Sequence, residues 1–526
     1  MDLKQSLTDK LTEKELSYLK TGFDIIGDIA ILEIPDELRK KEKLIAKTLI
    51  KIHKNIKTVY KKSGERKGVY RLRKIKKILG NGPETMHKES GCLFKMDVEK
   101  TYFSVRESTE RLRISEKIKP RENILVLFSG VGPFGIVAAK NHKDSKIDMV
   151  EINPMACKYA QENIGINRVS ENVRSFCGNA NKVLPSIGME NIGIKSDWGR
   201  KTLGNMLKSG AKIIEFHLQE GDLENKSEKI RNSIKFLNGK GVRVLVHQPT
   251  TYSGKEIILG SEKDFKTIKL AAGKLLETIK GFNNCIGIIM QPTMTAEDLK
   301  DCAKESLKEN INKLSEIYPE FNEKVFIENI FPKVNAKKEE IEYIVNEAGL
   351  KNICLDTAHF TNTGYSTKDL LEFIEKMSKK VRIYFHIADS VGKIKDGKDC
   401  VNLGKGKIEF KKIAHLMNFG IIETYSKDFV KGKEIIEDYF YFSKLKQKRY
   451  DRIIMPLPET AYKYLDLALE NCKTGGAIHL YSILGKSGDE IEKEIKKHKN
   501  LKILDKRNVL PYAPGVWKVC FDMIKT

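Results

Sequence analysis

Six residues of ligand type fall at the ends of apolar runs in the middle of the chain. They are His247 in LVHQP, Glu328 in FIEN, Asp356 and His359 in LDTAH, His386 in FHIAD and Glu423 in IIET. Carboxylates and imidazoles are the donors a divalent cation takes, and a mostly oxygen set suits Mn²⁺, Mg²⁺ or Zn²⁺. A second grouping lies earlier and has different chemistry. In FSGVGPFG, Gly130 and Gly132 let the backbone approach a ligand closely at the end of a strand. Glu151 ends the next apolar run, in MVEINP, where a carboxylate can accept hydrogen bonds from ribose hydroxyls. This second grouping reads as a site for a nucleoside-containing cofactor.

The elements that must position these groups follow two series. Around the glycine turn the period is β-α-β-α-β, with strands expected at 123–129, 146–152 and 173–178 and helices at 134–141 and 154–165. From about residue 190 a second series expects strands at 191–196, 212–218, 242–248, 285–291, 324–330, 352–358, 381–387 and 420–426, with helical stretches between them. Eight strand–helix repeats match a (β/α)₈ barrel, in which strand C-termini converge on one mouth. RIIMPLP at 452–458, GGAIHLYSIL at 475–484 and a closing pair of apolar strands then finish the fold begun at 121–186. Residues 20–80 alternate strand and helix patterns, and 94–106 read as strand segments leading into a helix at 107–117. The expected class is α/β: a Rossmann-like domain interrupted by a barrel and preceded by a small α+β domain. The expected domains are 1–90, a basic RNA-binding module; 91–186 and 447–526, the two parts of the Rossmann-like domain; and 187–446, the inserted barrel.

Composition bounds the partners. The 526 residues carry a net charge of +24, with 40% hydrophobic residues, enough for packed cores. Between 39 and 77 stand 17 Lys and Arg against Glu42 and Glu65, an excess that favours a polyanion, nucleic acid first. No run of 18 apolar residues exists, so no spanning helix and no membrane partner are expected. The polar N-terminus MDLKQSLTDKLTEKEL does not read as a secretory signal. Nine cysteines without CxxC spacing suggest a reduced, cytoplasmic protein.

Five segments occur in order: YFSVRESTER (102–111), LFSGVGPFG (127–135), EINPMACKYAQENIGIN (151–167), DRIIMPLPETA (451–461) and YAP (512–514). Together with KGVYRLRKIKKILG (67–80) and HKESG (87–91), they resemble the archaeal and eukaryotic tRNA (guanine-37) N1-methyltransferase family. The resemblance implies S-adenosylmethionine as cofactor, tRNA as partner and methylation of guanosine N1. It implies Glu110 as general base and Arg71 as the cation that stabilises charge on guanine O6. Tyr102, Phe128, Gly130, Gly132 and Glu151 correspond to cofactor-pocket positions, and Asn179 stands where the family carries an acidic residue. Two further departures are Leu127 in place of an Asp and Met455-Pro456-Leu457-Pro458 in place of an Asn-Leu-Pro motif. The family's separate N-terminal domain is not evident, which leaves more of the tRNA binding to the basic block.

The middle of the chain resembles the endonuclease IV and xylose-isomerase-like barrels, most closely through LDTAH and NLGKGKI (402–408). That resemblance implies Glu328, Asp356, His386 and Glu423 as the complete ligand set of one divalent metal. It implies His247 and His359 as members of second and third sets whose companions are Gln291, Lys398 and Cys400 here. The expectation is therefore a cytoplasmic tRNA methyltransferase with a metal-binding barrel that acts, if at all, on DNA or a sugar phosphate. The alternative is a metal-dependent abasic-site endonuclease or sugar-phosphate isomerase or epimerase, with the methyltransferase-like halves as a nucleic-acid-binding platform.

Overall fold

The computed structural model describes residues 2–292, 303–330, 335–393, 400–428, 430–457, 460–484, 489–513 and 515–526. The chain divides into two compact units, Met1–Leu184 with Lys448–Thr526, and Pro185–Gln447.

The first unit is built on a seven-stranded sheet. Its order is Leu501–Ala513, Val516–Lys525, Cys472–Leu484, Tyr450–Met455, Asn123–Leu127, Lys146–Glu151, Val173–Cys177. After Asn123, NILVL is apolar because a central parallel strand is buried on both faces. Tyr450–Met455 pairs in parallel with Asn123–Leu127, Arg452 opposite Ile124 and Ile454 opposite Val126. The chain thus leaves at the edge strand and returns on the free side of Asn123–Leu127 as the middle strand. The strand order reverses between Asn123–Leu127 and Tyr450–Met455, and ligands of open α/β sheets bind at such a point. The closing pair Leu501–Ala513 and Val516–Lys525 is antiparallel.

Residues 3–79 add a four-stranded sheet, Phe23–Ile26, Ile29–Leu32, Thr58–Lys67 and Leu72–Leu79. Helix Glu42–Ile52 closes it through Ile45, Ala46 and Leu49, which pack with Leu7, Leu38 and Val59. A hairpin of Glu84–Glu89 and Cys92–Asp97 follows. Its first strand, ETMHKE, is too polar to have been expected. Thr85 and His87 on it accept hydrogen bonds from Asp28 N and Gly27 N, both at 3.1 Å, which ties the small sheet to the rest of the unit. Cys157 and Cys177 form a disulfide, where the cysteine spacing led to an expectation of free thiols. Their Cα atoms are 5.6 Å apart because helix Pro154–Ile166 packs on strand Val173–Cys177, a tertiary approach that no CxxC pattern announces.

The second unit is a closed barrel of eight parallel strands: β1 (Ile192–Ser196), β2 (Ile213–His217), β3 (Arg243–His247), β4 (Cys285–Met290), β5 (Val325–Glu328), β6 (Asn352–Asp356), β7 (Arg382–Ile387) and β8 (Gly420–Ile422). All eight expected strands form. Ile213, Leu245, Ile289, Phe326, Cys354, Tyr384 and Ile421 fill its interior below the mouth. Gly420 is required on β8, since a Cβ there would stand 2.2 Å from the Phe385 carbonyl oxygen. No helix among the described residues is long and apolar enough to cross a membrane.

Candidate functional site

In the first unit the turn after Asn123–Leu127 makes the binding surface. Gly130 (φ 58°) and Gly132 (φ 92°) are left-handed, and a Cβ at Gly132 would meet Ile136 and Met149 at 3.0 and 3.1 Å. Phe128 is also left-handed (φ 57°), a strained setting for a bulky residue that is held where its ring meets Tyr464 edge-on at 4.9 Å. Glu151 is buried, and one carboxylate oxygen accepts from Gly130 N and the other from Asn153 N, each at 2.8 Å. Burial pushes this carboxyl above the usual range against those two hydrogen bonds. Asn179 caps the next short helix by accepting from Asn181 N.

Three cavities adjoin here. One is lined by Tyr102, Phe128, Gly130, Glu151 and Arg71. A second takes in Phe128, Asn179, Leu457 and Arg71. The largest, about 280 Å³, is lined by Arg71, Tyr102, Glu107, Lys62, Tyr512 and Lys518 among others. Arg71 belongs to all three. Of the expected residues, Arg71, Tyr102, Phe128, Gly130, Glu151 and Asn179 come together, and Gly132 shapes the turn beneath them. Glu110 does not reach these cavities. It is buried with both oxygens on Arg113, at 2.5 and 2.9 Å, and it accepts from the Tyr481 hydroxyl at 2.7 Å. Arg113 continues to Asp522 at 2.6 Å. Two carboxylates line the largest cavity: Asp24, paired with Arg106 Nε at 2.7 Å, and Glu107, which accepts from Tyr102 Oη at 3.3 Å and meets Lys518 Nζ at 2.8 Å.

In the barrel, ligand atoms of Glu328, Asp356, His386 and Glu423 all lie within 4.8 Å of one another. Asp356 and His386 face each other as register partners on β6 and β7. His386 Nδ1 is 2.6 Å from both Glu328 Oε1 and Glu423 Oε2. Burial works against the charged ring, but Glu215, Glu423 and Glu328 hold its proton well above the usual histidine range. Burial, with the charges of Glu423 and Glu328, pushes Asp356 up to about 7. A buried imidazolium surrounded by carboxylates is a place where a cation is already required, so this donor set fits a divalent metal.

His247 belongs elsewhere in the mouth. Its Nε2 is 3.2 Å from Glu328 Oε2, and it groups with Glu215 and His217. His359 follows Asp356 on a helix and is not in either cluster; its backbone N–H donates to Asp356 Oδ1. Gln291 donates to Glu328 Oε2 at 2.7 Å. Lys398 lies outside the described residues. Glu215 and His217, on β2, join His247 although apolar periodicity alone does not single them out. The signal was E-x-H at the end of a parallel strand, where alternate residues share a face.

Residues 85–216 match the TRM5/TYW2 methyltransferase domain family. The chain carries a TRM5/TYW2 methyltransferase domain. The structure completes that domain with residues 448–526, which supply the middle and one edge of its sheet. Residues 3–83 match the TYW2 N-terminal domain, and 204–426 the xylose isomerase-like TIM barrel. Over 200 residues the chain is 44% identical to the tRNA (guanine(37)-N(1))-methyltransferase Trm5b of Pyrococcus abyssi, covering 38% of this chain and 56% of the relative. It is 42% identical over 151 residues to the tRNA (guanine(37)-N(1))/4-demethylwyosine(37)-methyltransferase Taw22 of Nanoarchaeum equitans, 28% of this chain and 49% of the relative. The chain therefore spans about half the length of the curated relatives it matches. A family 2 AP endonuclease structure from Brucella melitensis covers 46% of this chain and 96% of that one at 14% identity and a TM-score of 0.37.

Proposed function

We propose that the TRM5/TYW2 domain transfers a methyl group from S-adenosylmethionine to N1 of guanosine 37 in tRNA, in the cytoplasm, and that the barrel carries a divalent metal. The observation that carries the first reading is the meeting of the three cavities at Arg71. The cavity beside Glu151 and the glycine turn suits the cofactor, and the larger one beside Tyr512, Lys62 and Glu107 suits an extruded base.

When bound, the cofactor would supply an electrophilic methyl group. Glu151, Phe128 and Asn179 would hold it, with the Glu151 carboxylate suited to its ribose hydroxyls. Arg71, at the junction, stabilises negative charge on guanine O6 as the N1 proton leaves. Glu110 takes that proton. In the structure Glu110 is paired with Arg113 and Tyr481, and catalytic hydrogen bonds often align only in the substrate complex. Glu107 holds Tyr102 and Lys518 in place. The basic strands Thr58–Lys67 and Leu72–Leu79 meet tRNA phosphates.

Incubation of the full chain with unmodified tRNA and labelled S-adenosylmethionine, followed by nucleoside mass spectrometry, tests this reading. 1-Methylguanosine is the expected product. A methylated product found only on tRNA bearing 4-demethylwyosine would replace guanosine as the substrate, and no methylated nucleoside from either tRNA would end the proposal.

A second reading concerns the barrel alone and rests on Glu328, Asp356, His386 and Glu423. These residues would hold one divalent cation, which polarises a bound oxygen when present. DNA with an abasic site or a sugar phosphate is the substrate class that such a mouth suits. Turnover of either by the full chain, abolished by chelator while methyl transfer persists, would establish it.

A further inference from the structure

Three clusters of metal-type side chains lie outside or beside the sites above, and their surroundings separate them. His479, Cys520 and Asp522 converge in the first unit. There Arg452 Nη1 stands 2.5 Å from His479 Nε2, and Arg113 and Lys117 hold Asp522 at 2.6 and 2.8 Å. Guanidinium and ammonium groups already supply the positive charge, so that cluster is a packed ion network. Glu328, Cys354 and His386 share two members with the metal set already described.

The remaining cluster is Glu215, His217 and His247, all at the barrel mouth. Glu215 has no exposed surface. No lysine or arginine among the described residues forms an ion pair with it; its partners are imidazoles, His217 Nε2 at 2.8 Å and His386 Nε2 at 3.1 Å. His217 and His247 are register partners at the ends of β2 and β3. Their rings stack 4.4 Å apart at 16°, so both imidazoles present edges at one level of the mouth. His217 is 19% exposed, which leaves one side open.

We propose that Glu215, His217 and His247 hold a second divalent cation, beside the one assigned to Glu328, Asp356, His386 and Glu423. Two imidazoles and one carboxylate leave at least one coordination position for water or substrate, and such a set suits Zn²⁺, Fe²⁺ or Mn²⁺. Glu328 links the two sites. Its Oε1 faces His386 at 2.6 Å and its Oε2 faces His247 at 3.2 Å. With both cations in place Glu328 would be shared between them, and such a pair could serve displacement at a phosphoester. Gln291 occupies a place where the barrel resemblance expects a histidine, and His217, stacked on His247 from the neighbouring strand, makes up the loss. Lys195 Nζ, 3.0 Å from Glu423 Oε1 at the rim, adds the positive charge that a phosphate would meet.

The inference rests on the one-metal reading of the barrel, and the experiment separates them. The full chain is stripped with chelator, reconstituted with Zn²⁺, and its bound metal counted by elemental analysis. Two ions per chain are expected for the wild type, one for His217→Gln and one for Asp356→Asn. Loading with Mn²⁺ should give a spin-coupled paramagnetic resonance signal in the wild-type chain, a readout that does not depend on any variant folding. One ion that is lost in Asp356→Asn and kept in His217→Gln would overturn the second site alone. No bound ion in the wild type would overturn both. Two ions retained in His217→Gln would remove His217 from the ligand set and with it the proposal.

Discussion

The Tyr450 hydroxyl donates a 2.8 Å hydrogen bond to Asp148, a residue 302 positions earlier. Arg174 and Lys448 also reach that carboxylate, at 2.8 and 3.0 Å. Asp148 is therefore a knot between the two pieces of the methyltransferase sheet. Burial works against its charge, but Arg174 and Lys448 hold its pKa below the usual range. A depressed pKa stabilises the fold above the unfolded value of about 3.9 and loses that contribution as pH falls through it. Asp148→Asn should cost about 2–3 kcal/mol at neutral pH, a buried pair discounted for its half-exposed arginine. Urea unfolding read through Trp517 in a Trp198→Phe background measures this. The gap to wild type should narrow below about pH 4, and a gap independent of pH would disprove the ionic origin.

Glu110→Gln should slow the chemical step by about two or more orders of magnitude, with cofactor affinity little changed. Glu107→Gln should slow it less than about tenfold. Single-turnover methyl transfer at saturating tRNA decides between them, and the reverse ranking would move the base to Glu107.

Glu151→Gln should weaken S-adenosylmethionine binding by about 10- to 100-fold, the range for a lost charge-assisted hydrogen bond. Titration calorimetry without tRNA reads it directly. Unchanged affinity would leave Glu151 with only its role of holding Gly130 and Asn153.

Metal uptake by the barrel should depend on pH with a definite sign. Asp356 keeps its proton up to about 7. That raised value stabilises the metal-free barrel below the unfolded carboxylate range and ceases to do so as pH rises through 7. A metal must displace the proton, so apparent affinity should climb at least about tenfold per pH unit from 5 to 7. His386 continues the rise above that. A flat profile between pH 5 and 7 would contradict the assignment.

The salt dependence of tRNA binding should localise to the small sheet. Lys61 is ion-paired with Glu42 and Lys62 is partly withdrawn into the large cavity. Lys47, Lys51, Lys74 and Lys76 are among the exposed members. Reversing these four should reduce the slope of log K against log salt by up to about 3. An unaltered slope would place the phosphate contacts elsewhere.

What could be read in advance follows from periodicity. The eight barrel runs and the ILVL of Asn123–Leu127 are mostly apolar because parallel strands are buried on both faces, and continuous burial leaves a plain trace. Residues whose partners are remote leave none. Glu110 matches a motif and pairs with Arg113 one turn along its helix, yet its bond from Tyr481 and the link from Arg113 to Asp522 depend on strands hundreds of positions away. Glu215 and His217 sit in an apolar run where two polar residues read as interruptions until β3 brings His247 alongside. Glu84–Glu89 is polar because it is a hairpin edge, and polarity there hides the strand.

The return of the chain beside Asn123–Leu127 has a consequence for biosynthesis. When residues 1–184 have emerged, the strand that must flank Asn123–Leu127 has not been made. At about 5–20 residues per second it arrives roughly 13–50 s later. Until then one long side of that strand is an unpaired, apolar edge open to other chains. The intervening segment closes on itself: β1 and β8 are parallel neighbours, Ile192 opposite Gly420, and helix Lys433–Lys446 follows β8. The insert thereby brings its two ends near each other before the missing strand is needed, so a barrel slow to close would show itself first as aggregation of the methyltransferase half.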